Sequence, residues 1–167
     1  MSAFQTRYGF AMKNRPVRSA LSILAVGAVM LFASGCLGPG TPGGMEMLQR
    51  VNDQRAAAGI GPLRMCATLT EAAQNYAVEN ADRGFISHSG ATGSTLAGRA
   101  GWFGYGGWTA LGENLARGQT SVEQAVASWM ASPGHRANIM NPAYTDVGFG
   151  LAGGPTWVQE FGRSGRC

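Results

Sequence analysis

The segment SWMASPGHRANIMNPAYTDVGFG, from Ser128 to Gly150, decides the fold of this 167-residue chain. Its first residues continue an amphipathic helix, whose apolar stripe consists of Val122, Ala125, Val126 and Trp129. Ser132-Pro133-Gly134 ends that helix, because proline lacks the amide donor and glycine accepts the backbone geometry of an exit. The alternation in Asp146–Leu151 predicts a half-buried strand. His135 is therefore held between a helix end and a strand, just before a compact turn predicted at 137–140, and such connections often carry function.

Three upstream motifs accompany this segment. They are VNDQRAAAGIGPLR at Val51–Arg64, GFISHSG at Gly84–Gly90 and LGENLARG at Leu111–Gly118. Together, and in this order, the four motifs resemble bacterial members of the CAP superfamily (cysteine-rich secretory, antigen 5 and pathogenesis-related proteins), also called the SCP domain. The resemblance covers roughly residues 45–162. It implies an α-β-α sandwich, in which a small central antiparallel sheet lies between helical layers.

The residue pattern independently predicts an α+β domain, with three or four helices and a small late sheet. Helices are expected at about 45–58, 69–83 and 94–100, and a fourth ends at Ala131. Strands Asp146–Ala152 and Thr156–Phe161 are expected to form a hairpin across Gly153-Gly154-Pro155. The predicted core consists of Leu48, Val51, Leu69, Tyr76, Val126, Trp129, Val147, Phe149 and Phe161.

Residues 1–36 are predicted to be an export signal and not part of the domain. A basic segment precedes the apolar run Ala20–Ala33, which is about as long as the hydrophobic part of a secretory signal. Phe32-Ala33-Ser34-Gly35-Cys36 resembles a bacterial lipobox, which implies lipidation of Cys36 and membrane anchoring. Ala33 stands where that motif usually has leucine, so ordinary secretion with cleavage near Gly35 stays open, as does translation from Met12. Residues 37–44 (LGPGTPGG) are predicted to be a flexible tether before a domain at 45–167.

The charge balance excludes nucleic acid as an expected partner. Four of the 13 basic residues lie in the leader, which leaves nine basic residues against nine acidic ones in the domain. The basic pI of the whole chain therefore arises mostly from the basic residues of the export signal. We expect the exported domain to be a monomer.

The remaining two cysteines, Cys66 and Cys167, are predicted to form a disulfide in an oxidising compartment. Such a bridge would tie the C-terminal tail to the start of the second helix. The alternative, two free thiols, is less usual for an exported protein.

The candidate site is a cleft containing the only two histidines, His88 and His135, together with Glu113. The resemblance implies a cleft of two histidines and two acids, with His88 and Glu113 at matching positions and His135 as the second histidine. The place of the second acid is held by Ser132. We predict that Glu113, in a glycine-flanked turn, is the partner of His88. Two imidazoles and a carboxylate can bind zinc, act as general acid and base, or simply join three loops.

The glycine-rich stretch 101–107 and its neighbour Trp108 carry aromatic side chains that could form an apolar rim. The rim candidates are Trp102, Tyr105 and Trp108, although packing of this loop on its own rings is the alternative.

Two functions from different classes follow. The first is a non-enzymatic extracytoplasmic binding module, secreted or anchored to the membrane, since the resemblance implies lipid or sterol-like ligands, envelope or host proteins, or metal. The second is a hydrolase with His88, Glu113 and His135 as candidate catalytic residues, with or without zinc. The sequence has no GxSxG nucleophile motif, and a third alternative is a structural envelope domain without a small ligand.

Overall fold

The computed structural model describes residues 37, 38 and 40–167. The leader and Cys36 lie outside these residues. The helices are α1 (Pro42–Ala57), α2 (Ala67–Arg83), α3 (Leu96–Trp102), α4 (Val122–Ala131) and α5 (Pro133–Ile139), and the strands are β1 (Arg64–Met65), β2 (Ala110–Arg117), β3 (Asp146–Ala152) and β4 (Thr156–Arg163). In this part of the chain, every helix is too short or too polar to cross a bilayer.

The four strands form one sheet in the order β1-β3-β4-β2. Strands β3 and β4 pair as the predicted antiparallel hairpin, and β2 adds to the other side of β4, also antiparallel. The two-residue β1 pairs with β3 in parallel, so the sheet is mixed and not wholly antiparallel as predicted. Strand β2 is left at one edge, and it carries Glu113.

Helices cover both faces of the sheet, which gives the expected α-β-α sandwich. On one face α2 lies very close to β3, because Gly148 and Gly150 point toward it: a Cβ at either glycine would overlap the α2 backbone at Leu69 and Ala73. On the other face, Val147 and Phe149 pack with residues of α1 and α4, among them Trp129. Alternation along β3 thus separates a glycine face from a large apolar face.

The predicted core is confirmed with one adjustment. Eight of its nine residues are buried: Val51, Leu69, Tyr76, Val126, Trp129, Val147, Phe149 and Phe161. Leu48 is only partly buried at the edge of the same cluster.

Several element boundaries differ from those expected. Helix α1 begins at Pro42 with Thr41 as its N-cap, and Leu37 is buried, so part of the predicted tether is ordered against the domain. Residues 133–139 form helix α5 and not a break followed by a turn, because proline is well tolerated in the first turn of a helix. His135 therefore lies in a helix.

The predicted disulfide between Cys66 and Cys167 is confirmed, with a Cα–Cα distance of 4.9 Å. Cys66 is fully buried at the N-cap of α2. The bridge fastens the C-terminal tail beside Thr68, whose hydroxyl donates to the Arg166 carbonyl at 2.9 Å.

Arg55 is a buried structural residue that connects α1 to the segment before β3. It is only 1% exposed, although it carries a charge. Its guanidinium donates to four backbone carbonyls, those of Gly61, Ile139, Asn141 and Tyr144. Burial lowers the pKa of Arg55.

Replacing Arg55 with methionine is expected to lower the free energy of unfolding by about 3 kcal/mol, because several buried carbonyls lose their donors at once. Urea denaturation measures the change. Arg50→Met on the same helix is the matched control, since Arg50 forms only a surface pair with Glu46 and such pairs contribute little. Equal losses in the two variants would contradict the structural role of Arg55.

Candidate functional site

His88 and Glu113 meet at the edge of the sheet. His88 lies in the loop between α2 and α3, and its Nδ1 is 2.7 Å from Glu113 Oε1. The loop is held by α2, because Asn80 Oδ1 accepts from the Ser87 amide at 2.9 Å and the Tyr76 hydroxyl donates to the Ser87 carbonyl. The predicted pairing of His88 with Glu113 is therefore present. Glu113 is in the middle of β2, however, and not in the predicted turn.

Arg99 holds the other oxygen of the same carboxylate. Its Nη2 donates to Glu113 Oε2 at 2.5 Å, and its guanidinium carbon lies 3.4 Å from the centroid of the Tyr76 ring. Arg99 comes from α3 and is only 6% exposed. Both oxygens of Glu113 are thus occupied, one by His88 and one by Arg99.

Glu160 lies on β4 directly opposite Glu113 in the antiparallel register. It is fully buried, and neither of its carboxyl oxygens has a hydrogen-bond partner among the described residues. Arg99 Nε is 3.8 Å from Glu160 Oε1. A second acid, Glu160, therefore lies beneath the site, and it comes from β4. The resemblance implied a second acid at the position of Ser132, which is the N-cap of α5 in this chain.

His135 is held against the same sheet edge by a network of buried amides. Asn114 Nδ2 donates to the His135 carbonyl at 3.1 Å and to Gln159 Oε1 at 3.0 Å. Asn138, also on α5, donates to the Glu113 carbonyl at 3.1 Å and to Asn114 Oδ1 at 2.9 Å. These bonds fix α5, and with it the backbone of His135, beside β2.

The sequence profile of the Cysteine-rich secretory protein family (CAP) matches residues 48–161, most of the chain that carries this fold and site. The chain belongs to this family. The uncharacterized protein YkwD of Bacillus subtilis (strain 168) is 34% identical over 117 residues, which is 70% of this chain and 45% of YkwD. The chain thus spans less than half the length of this curated relative.

Solved structures agree on the fold. An extracellular SCP-domain protein of Bacillus anthracis is 25% identical and has a TM-score of 0.69, over 72% of this chain and 40% of that protein. An outer surface protein of Borrelia burgdorferi has a TM-score of 0.65 at 21% identity, over 71% of this chain and 90% of its own. The latter likeness concerns the fold of the CAP domain alone.

Burial shifts the pKa values of three groups in the CAP cleft: it raises those of Glu113 and Glu160 and lowers that of His135. Burial raises the pKa of Glu113, although Arg99 and His88 oppose that rise. Burial also raises the pKa of Glu160 to about 8, and the neighbouring Glu113 charge adds to the rise. Burial lowers the pKa of His135, and the charge of His88 lowers it further. At neutral pH Glu160 is thus mainly a neutral acid and His135 a neutral imidazole.

This geometry assigns Glu113 an orienting role. If its carboxylate accepts the Nδ1 proton of His88, the lone pair of His88 is left on Nε2, and the His88 side chain is 64% exposed. In the described part of the chain no three His, Cys, Asp or Glu side chains converge as a metal-binding set. The two imidazoles are near enough for the charge of His88 to lower the pKa of His135.

The three residues predicted to form an apolar rim differ in exposure. Trp102 is 87% exposed at the end of α3, and Trp108 is 39% exposed. Tyr105 is fully buried, and its hydroxyl donates to Asp146 Oδ2 at 2.7 Å. The prediction that Tyr105 belongs to a ligand rim is therefore wrong: its ring packs beneath the C-terminal tail.

Arg99, Glu160 and Asn138 are the residues of the site that sequence reasoning missed. Arg99 lies in a predicted helix and Glu160 in a predicted strand, but nothing in their spacing connects them to Glu113. One sequence feature could have indicated Glu160: it is a charged residue within the largely apolar predicted strand Thr156–Phe161. In a sheet covered on both faces, such a residue has no solvent-facing side to occupy.

Proposed function

We propose that this CAP domain is an extracytoplasmic binding module whose cleft between His88 and His135 takes a divalent transition-metal ion. The observation that carries the proposal is the orientation of His88: its Nδ1 faces Glu113 at 2.7 Å, so Nε2 is available toward solvent. His135 supports it, because its lowered pKa keeps the second imidazole in the metal-binding, neutral form.

The donor set fits a reversibly held ion better than a structural one. Catalytic zinc sites commonly use three protein ligands and structural sites four, whereas this cleft offers two imidazoles with Glu113 behind one of them. We infer that the domain senses or exchanges metal, or presents it to a partner at the surface. A bound ion there would act as a Lewis acid, and His88 and His135 would hold it.

The hydrolase alternative rests on the imidazoles of the cleft alone. A general base needs a carboxylate or imidazole free to accept a proton from water. Both Glu113 oxygens are occupied, by His88 and by Arg99, and Glu160 is fully buried, which leaves His88 and His135 as candidate bases. A candidate base alone defines no reaction, and the chain has no GxSxG nucleophile motif, so we propose binding and not hydrolysis.

Three observations support the extracytoplasmic part of the proposal. The leader resembles an export signal, the domain has a disulfide of the kind found in oxidising compartments, and similar proteins are described as extracellular or outer-surface proteins. Lipidation of Cys36, which would anchor the domain to the membrane, is part of this proposal.

A zinc titration of the purified protein at pH 7.5 tests the cleft. We expect one equivalent to bind, with affinity at least about tenfold weaker in His88→Ala and in His135→Ala, since each removes one of two ligands. Glu113→Gln is expected to weaken binding by about tenfold as well, because it weakens the hold on Nδ1. Binding should weaken as the pH falls, because protons compete with zinc for the imidazole nitrogens.

Asp82→Asn, at an exposed position on α2, is the control and should bind zinc as the wild type does. The melting temperature of each variant separates lost ligands from lost structure. Zinc binding that survives both histidine substitutions, or no binding by the wild type, would refute the metal cleft.

A further inference from the structure

Trp102 is an unusual surface residue. Its side chain is 87% exposed at the end of α3, whereas Trp129 and Trp157 are buried in the core. A large indole in water leaves apolar area unburied that contact with a ligand would cover. Phe103, the next residue, is partly buried and turns toward α2.

A hollow of about 290 Å³ opens beside Trp102, between α2 and α3. Its walls carry an amide (Asn75), a carboxylate (Glu79) and a hydroxyl (Ser94) around the two aromatic rings. Within the described residues the side chains of Asn75 and Ser94 form no hydrogen bond. Glu79 Oε1 accepts from the Ala91 amide at 2.5 Å and lies 3.5 Å from Arg83 Nη1, which leaves Oε2 for a ligand. The hollow therefore offers the face of the Trp102 indole for stacking, with unpaired polar side-chain atoms of Asn75 and Ser94 beside it.

This combination selects one class of ligand. A pyranose ring has an apolar C–H face that can stack on an indole and a rim of hydroxyl groups that bond to amides, carboxylates and hydroxyls. A lipid chain or a sterol would cover Asn75, Glu79 and Ser94 without bonding to them, which costs free energy. The volume is close to the lower limit of small-molecule sites, ~300 Å³, and so suits one or two sugar rings.

We propose that the Trp102 hollow is a saccharide-binding subsite, distinct from the histidine cleft. Arg99 lies between the two sites: it lines the hollow, donates to the Ser94 carbonyl at 3.2 Å and holds Glu113. The saccharide subsite does not depend on the proposed metal cleft, because its stacking and hydrogen-bonding groups belong to α2, α3 and the loop before α3.

Chitotriose, the trisaccharide of N-acetylglucosamine, is the ligand for the test. Titration of the purified protein by isothermal calorimetry and tryptophan fluorescence is expected to show saturable binding. Trp102→Ala should weaken it at least about tenfold, Trp102→Phe should restore part of the affinity, and Asn75→Ala should weaken it severalfold. Because Trp102 is exposed, its variants should keep the wild-type melting temperature.

Two controls make the result specific. Trp108→Ala removes the other exposed indole and should leave the affinity within about twofold of the wild type. Titration of the wild type in the presence of a metal chelator should give the same affinity, and this result separates the proposal from the metal cleft. No saturable binding of chitotriose, an equal loss in Trp108→Ala, or a Trp102 response only to phospholipid vesicles would overturn the saccharide assignment.

Discussion

Replacing Cys167 with serine is expected to lower the free energy of unfolding by about 4 kcal/mol. The bridge to Cys66 spans a sequence separation of 101 residues, and the chain-entropy estimate for a loop of that length is roughly 4–5 kcal/mol. The bridge encloses α2 to β4, so opening it frees nearly all of the sheet in the unfolded chain. Urea denaturation of the wild type and Cys167→Ser measures the difference.

The tail contacts allow a matched control for this prediction. Arg166→Ala leaves the bridge intact, and its amide still donates to the Gly106 carbonyl at 3.3 Å, so its unfolding free energy should stay within about 1 kcal/mol of the wild type. Wild-type protein treated with reductant should match Cys167→Ser. A loss below about 1 kcal/mol in Cys167→Ser would show that the bridge does little to restrict the unfolded chain.

The hairpin was predictable because its signals are local. The alternation from Asp146 and the Gly153-Gly154-Pro155 turn predicted β3 with its observed bounds and placed the start of β4 correctly at Thr156. The disulfide was predictable for a different reason: an exported domain with two cysteines has one way to pair them.

Helix α5 shows where local rules gave the wrong answer. Proline and glycine at 133–134 are consistent with a stop for α4, and α4 does end at Ala131. Proline is equally suited to begin a helix, and packing of α5 on β2 through Asn138 decides between the two. The sequence contains no local sign of that contact.

The buried charges depend on tertiary structure still more strongly. The sequence indicated His88, Glu113 and His135 because they lie in motifs that resemble those of the CAP family. Arg99 and Glu160 complete the cluster only because Glu160 pairs with Glu113 across β2 and β4, and α3 brings Arg99 to both carboxylates. Resemblance therefore found His88, Glu113 and His135, and the fold was needed to find the buried groups that surround Glu113.

The Glu160→Gln variant is expected to be more stable than the wild type by about 4 kcal/mol at pH 8.5, and close to it at pH 4.5. Burial raises the pKa of Glu160 from 4.5 to about 8, and the Glu113 charge adds to this, so the folded protein holds a proton that the unfolded chain releases. The stability contributed by the neutral acid is complete below pH 4.5 and is lost as the pH rises toward 8. Glutamine has nearly the same shape and does not ionise, so the Glu160→Gln variant does not lose stability in this way as the pH rises.

Urea denaturation at intervals from pH 4.5 to 8.5 measures the two profiles, with the disulfide intact throughout. Both proteins keep Glu113 and His135, so the difference between the profiles reports Glu160 together with its coupling to the Glu113 charge. Glu123→Gln, at an exposed position on α4, is the matched control and should follow the wild type at every pH. Parallel profiles for Glu160→Gln and the wild type would mean that Glu160 is already ionised in the folded protein. Arg99 would then have to bond both carboxylates, and its present hold on Glu113, and through it on His88, would be weaker than the geometry indicates.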